Sequence, residues 1–188
     1  YAKMFELWGL RMFRNISSAE QRHIEHVRGV LKAQGLSDPT ASAKPGEFTD
    51  TRLQALYDTL VKKGSESMEA ALAVGAAIED VDISDLEALK AKTKSEDIAA
   101  LYNALIAGSE NHMRSFAGQL KARGAEYKPE HISPERYSAI LAGSNRQGEC
   151  GRDCDFEGST GRMGRMGRMG NTGNGFGPGR AGGRGRRR

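Results

Sequence analysis

The chain lacks several features that would place it in a familiar class. Its 188 residues hold two cysteines, Cys150 and Cys154, both near the C-terminal end. Residues 1–142 are therefore not held by a disulfide framework. No run approaches the roughly 18 apolar residues that a membrane-spanning helix requires. β-branched alternation never continues far enough to argue for strands. A uniform charge is also missing. Residues 1–142 carry 18 Lys and Arg against 20 Asp and Glu, a net of −2, whereas residues 143–188 carry 10 Arg against 4 acids, a net of +6. The overall +4 thus describes the tail, and a nucleic-acid role for the first 142 residues cannot be argued from charge.

What recurs is helical periodicity. "YAKMFELWGL" predicts the last turns of a helix with Met4, Phe5 and Trp8 inward and Gly9 ending it. Ser17 is expected to cap the next helix, which stops near Gly35. A Pro/Ser/Thr-rich loop follows, then a short helix over residues 50–63 with Leu53, Leu56, Tyr57 and Leu60 on one side. Ser65 opens a longer helix, with a bend expected near Asp82–Ser84, and Ser95 caps the last long one, which ends by Gly124. "SPERYSAIL" adds a short helix with Ser133 as cap and Pro134 in its first turn. The expected architecture is all-α, a four-helix bundle over residues 1–142 with the 50–63 helix inside a connection. From Gly143 the chain is too rich in glycine and too poor in apolar residues to offset its ordering entropy, so disorder is expected over 143–188.

The polar residues on the apolar faces carry the chemistry. At about 100° per residue, Glu20 and His23 share an arc with Ile24, Val27 and Leu31. Glu79 lies among Met68, Leu72, Gly75 and Leu86, with Asp82 flanking and Asp80 expected to point away. His112 and Ser109 share a stripe with Ile98, Leu101, Tyr102, Leu105, Met113 and Phe116. Three helices each turn an acid or imidazole inward, and each such group is costly in a core unless partnered. If they meet, carboxylates and imidazoles suit iron or manganese, and less often zinc. Glu20-x-x-His23 is a spacing that lets both side chains reach one ion from a single helix face. Individually each has a plainer reading. Glu20 completes a capping box with Ser17, and a core histidine is often only a hydrogen-bonded packing residue.

The segments "WGLRMFRNISSAEQRHIEHVRGVL", "LQALYDTLVKKGSESMEAALAVGAAIEDVDISDLEAL" and "IAALYNALIAGSENHMRSFAGQLKARGAEYKPEHISPERYSAIL" resemble an uncharacterised prokaryotic family within the ferritin-like superfamily. The resemblance covers residues 1–141. It implies a ferritin-like four-helix bundle related to rubrerythrin and other di-iron carboxylate proteins, and homodimers by analogy. It carries Glu20 and His23 onto the second-helix Glu-x-x-His, Glu79 onto the third-helix carboxylate and His112 onto the fourth-helix imidazole. Ser109 stands where that superfamily has a second Glu, and the first-helix Glu would fall upstream of Tyr1. Ser109, Tyr102 and Asp82 are the neighbours expected to support the ligands.

Three functional readings follow: an iron- or manganese-binding bundle with redox chemistry toward O2 or peroxide, a non-catalytic bundle with a metal-free polar cluster, and anion or RNA binding through the Arg/Gly tail. The chain opens at Tyr1 inside a helix without an initiator Met, so it is read as N-terminally incomplete, and secretion or a cell-envelope location stays open.

Overall fold

The structure is a computed structural model that describes residues 1–143. The expectations for the tail, including Cys150, Cys154 and the Arg/Gly run, lie outside the described residues. Those described form six helices and no strand: α1 (Ala2–Trp8), α2 (Arg11–Ala33), α3 (Thr51–Gly64), α4 (Met68–Lys92), α5 (Glu96–Lys121) and α6 (Pro134–Ala142).

The terminators act largely as the residue types dictate. Gly9 takes φ 65°, a conformation that costs glycine little, and its N–H bonds the Phe5 carbonyl at 2.8 Å to close α1. Ser95 Oγ accepts from the Ile98 amide and Ser133 Oγ from the Arg136 amide, starting α5 and α6. Three boundaries differ from expectation. Helix α2 begins at Arg11, with Leu10 before it and no side-chain cap. Phe13 and Ile16 are buried and extend the inward stripe backwards, so packing starts the helix where capping does not. Ser17 is thus inside the helix, and no capping box with Glu20 forms. Helix α4 is capped by Ser67, whose Oγ accepts from the Ala70 amide, while Ser65 closes α3. It also runs as one helix through Asp82–Ser84, because Ile83 and Leu86 continue the buried sequence Leu72, Ala76, Glu79 at alternating steps of three and four.

Helix α3 packs chiefly by its C-terminal end. Leu53 and Leu56 are exposed, whereas Tyr57, Leu60, Val61 and Gly64 form the covered side. Gly64 is the pivot. A Cβ there would stand 2.6 Å from Met4 Sδ, and Trp8 Nε1 donates to the Gly64 carbonyl at 2.8 Å.

Helix α4 packs between α3 and α5, and α5 also meets α2 and α6. The larger core joins Met4, Phe13 and Ile16 to Leu72, Ala76 and Ile83 of α4 and to Met113, Phe116 and Leu120 of α5. Phe116 lies so close to α4 that a Cβ on Gly75 would be 2.2 Å from its ring. A smaller core joins Leu86, Leu101, Leu105 and Ile106, with Val27, Val30 and Tyr102 against it. On α2 and α5 the inward polar residues fall between these two cores: Glu20 and His23 between Ile16 and Val27, Ser109 and His112 between Ile106 and Met113.

Asp80 does not point away. It is fully buried, and the segment after α5 wraps onto it. Its Oδ2 accepts from Tyr127 Oη at 2.8 Å and from the amides of Glu130 at 2.6 Å and His131 at 3.0 Å, and its Oδ1 from the Ile132 amide at 2.9 Å. An irregular segment crossing a helix flank brings backbone donors that no ladder satisfies, and one carboxylate takes them.

Candidate metal centre

The inward acids and imidazoles meet between α2, α4 and α5. One oxygen each of Glu20 and Glu79 and one ring nitrogen of His112 all lie within 4.8 Å of one another. Glu20 is the hinge of the group. Its Oε1 is 2.8 Å from His112 Nδ1 and its Oε2 3.0 Å from His23 Nδ1, so one carboxylate links imidazoles from two helices. Glu79 Oε1 is 3.5 Å from the same His112 nitrogen. Glu79 is 1% exposed and His112 8%, so both are out of bulk water.

His112 Nδ1 is the least satisfied atom in this arrangement. It is buried and makes no hydrogen bond. The carboxylate oxygens beside it are near enough, yet they lie off the line a ring N–H would need. A buried polar atom with ion-pair contacts but no well-aligned hydrogen bond is uncommon. Two carboxylate oxygens that crowd a nitrogen from poor hydrogen-bond directions suit neighbouring ligands of one ion. Neighbouring ligand atoms bonded to one ion at about 2.0–2.2 Å stand about 3 Å apart, near the 2.8 Å and 3.5 Å found from His112 Nδ1 to Glu20 and Glu79. The donor set, two carboxylates and an imidazole with a second imidazole adjacent, suits iron or manganese.

The surrounding groups hold these side chains in place. Tyr1 Oη donates to Glu79 Oε1 and also reaches the Gly75 carbonyl. Ser109 Oγ donates to Asp82 Oδ2 at 2.6 Å, tying α5 to α4 beside the cluster. Gly108 carries the His23 ring against the backbone of α5, where a Cβ would stand 2.5 Å from His23 Cε1 and 2.6 Å from Nε2. Tyr102 is not among these neighbours; it packs with the smaller apolar core. Neither Tyr1 nor Gly108 was legible as a site residue. The one available signal was a glycine four residues before His112 in a helix interior, where glycine costs about 1 kcal/mol relative to alanine and so wants a reason.

The electrostatics divide the acids. Burial pushes Glu20 up, but His112 and His23 outweigh it and hold its carboxyl down at about 2. Burial opposes a charged His112, yet Glu20 and Glu79 prevail and raise it to about 9. Burial dominates at Glu79, whose carboxyl is pushed above its ordinary value against the pull of His112. Asp82 is likewise raised by burial, partly offset by the Ser109 hydroxyl.

Helices with a buried carboxylate–imidazole cluster at their meeting point define an all-helical domain with a candidate metal centre. Residues 1–144 match the family model described as "Uncharacterized protein domain (DUF2202)", and the chain belongs to this family. It is 40% identical over 148 residues to uncharacterized protein MJ0754 of Methanocaldococcus jannaschii, covering 79% of this chain and 80% of that one. Its fold is similar to the crystal structure of hypothetical protein MJ0754 from Methanococcus jannaschii, with a TM-score of 0.75 at 41% identity over 77% of this chain and 83% of that one.

Proposed function

We propose that the domain is a ferritin-like bundle whose Glu20, Glu79, His112 and His23 hold iron or manganese. The convergence of Glu20, Glu79 and buried His112 Nδ1, which lacks a well-aligned hydrogen bond, is the observation that carries this reading. Glu20 would be shared between the two imidazoles, with Glu79 supplying the carboxylate from the opposite helix. Bound there, the ion would supply redox chemistry toward O2 or peroxide. The chain's own part is to set the ligands. Tyr1 fixes one oxygen of Glu79, Gly108 admits the His23 ring, and an apolar core packs on either side of the cluster.

The competing reading is a metal-free polar cluster. It is favoured by the Glu20–His23 contact at 3.0 Å, which needs no ion. Metal analysis separates the two. Protein purified without chelators and dialysed against Fe(II) or Mn(II) should retain ion stoichiometrically, and Glu79→Gln should lose it while keeping its helical circular dichroism. Native protein that retains no ion above the variant's level would leave the metal-free cluster as the function of these residues.

A further inference from the structure

A cavity of about 280 Å³ opens beside the cluster, between α2, α4, α5 and the loop after α2. Its size is at the low end of small-ligand sites. The side toward the cluster is polar, lined by Glu20, His23 and Asp82. The walls are apolar: Ile24, Val27 and Leu31 from α2 face Leu86 of α4 and Leu105 of α5. Ile24 and Leu31 are seven residues apart, so the α2 wall runs about 10 Å along the helix. Ile24 is 44% exposed although it shares the inward face of α2, which leaves this wall lined by apolar carbon but not filled by protein.

The charges around the cavity discriminate between ligands. Among the described lining residues the one lysine or arginine is Arg28, and it is engaged: its Nε bonds Asp38 Oδ2 at 2.7 Å, and Thr40 closes onto Asp38 Oδ1. On the cluster side an anionic head would meet two acidic side chains, Glu20 and Asp82, and no lysine or arginine is among the described residues lining that side. A neutral hydroxyl would find acceptors there, and a short straight hydrocarbon would fit the apolar length.

From this we infer that the cavity binds a short-chain aliphatic alcohol or a like neutral amphiphile, its polar end toward Glu20, His23 and Asp82 and its chain along Val27, Leu86 and Leu105. The binding site stands without the metal reading; its role as the substrate entrance to the cluster rests on it.

The test titrates the full chain, metal-free, with n-hexanol and separately with hexanoate, following the methyl resonances of Val27, Leu31, Leu86 and Leu105. Hexanol should shift them saturably, and hexanoate should bind at least about tenfold more weakly. Ile24→Trp, at a half-exposed wall position that tolerates the larger ring, should abolish the hexanol shift with the melting transition intact. Val27→Phe, deeper in the wall, should weaken it. Absence of a saturable shift, hexanoate binding as tightly as hexanol, or Ile24→Trp binding hexanol unchanged would each overturn the assignment. Ion retention is measured on the same protein. Retention without a hexanol response sinks the cavity assignment alone, and a hexanol response without retention sinks the metal reading alone.

Discussion

Glu79 and Asp80 are neighbours on one helix, both acidic and both buried, and they have opposite chemistry. Asp80 faces the segment after α5 and accepts four hydrogen bonds, three from backbone amides. These outweigh burial and hold its carboxyl below the usual range. Glu79 faces α2 and α5, where the Tyr1 hydroxyl donates to it and the His112 imidazole stands 3.5 Å off without a well-aligned hydrogen bond, and burial pushes its carboxyl up. The two sides of α4 thus separate a saturated acid, which fixes structure, from an under-saturated one, which has bonding capacity left for something else.

The largest expected effect lies on the saturated side. Asp80→Ala strands the buried Ile132 amide, takes the acceptor from two part-buried amides and the Tyr127 hydroxyl, and should cost roughly 3 kcal/mol, read as a lower urea midpoint. Glu79→Gln should change apo stability by less than about 1 kcal/mol, because it removes a charge that burial already disfavours. A Glu79→Gln loss matching that of Asp80→Ala would erase the distinction between the two acids.

The same pair shows how much the sequence makes legible. Helical phase alone puts Glu20, His23, Glu79 and His112 on inward faces, because a 3.6-residue period needs only local spacing. The all-helical class and the caps at Gly9, Ser95 and Ser133 are equally local. Asp80 was illegible because its partners are 47 to 52 residues away in the chain, in an irregular segment without periodicity. Ser17 misled for the converse reason. It has the chemistry of a cap, but burial of Phe13 and Ile16 outweighs it. Gly108 and Tyr1 act only through contact across helices, which spacing does not encode.

Two glycines of α5 sharpen the contrast at smaller magnitude. Gly118 has nothing within 4 Å of where a Cβ would stand, so Gly118→Ala should gain up to about 1 kcal/mol from helix propensity. Gly108→Ala offers the same propensity but drives a methyl into the His23 ring. It should forfeit that gain and weaken ion retention, measured by paired urea curves and metal analysis. Equal stabilisation by both alanines would mean that His23 is not held where its contact with α5 implies.

The smallest effect is the pH response of Asp80. Its folded carboxyl lies below its unfolded value of about 3.9, so it binds fewer protons when folded over that window. Its contribution is therefore complete above the unfolded value and is lost as pH falls through the lower folded one. Other carboxylates titrate in the same range, so the informative quantity is the difference between the native chain and Asp80→Asn, whose amide resembles a protonated acid. That difference in urea midpoint should be constant near neutral pH and should narrow on acidification once Asp80 itself takes up a proton. Glu79 has the opposite sign: a raised folded value means that its charge weakens the fold as pH rises. The gap between native and Glu79→Gln should therefore move the other way with pH. If both gaps moved together, the two faces of α4 would share one electrostatic environment, and the division between a structural acid and a ligand-bearing acid would fail.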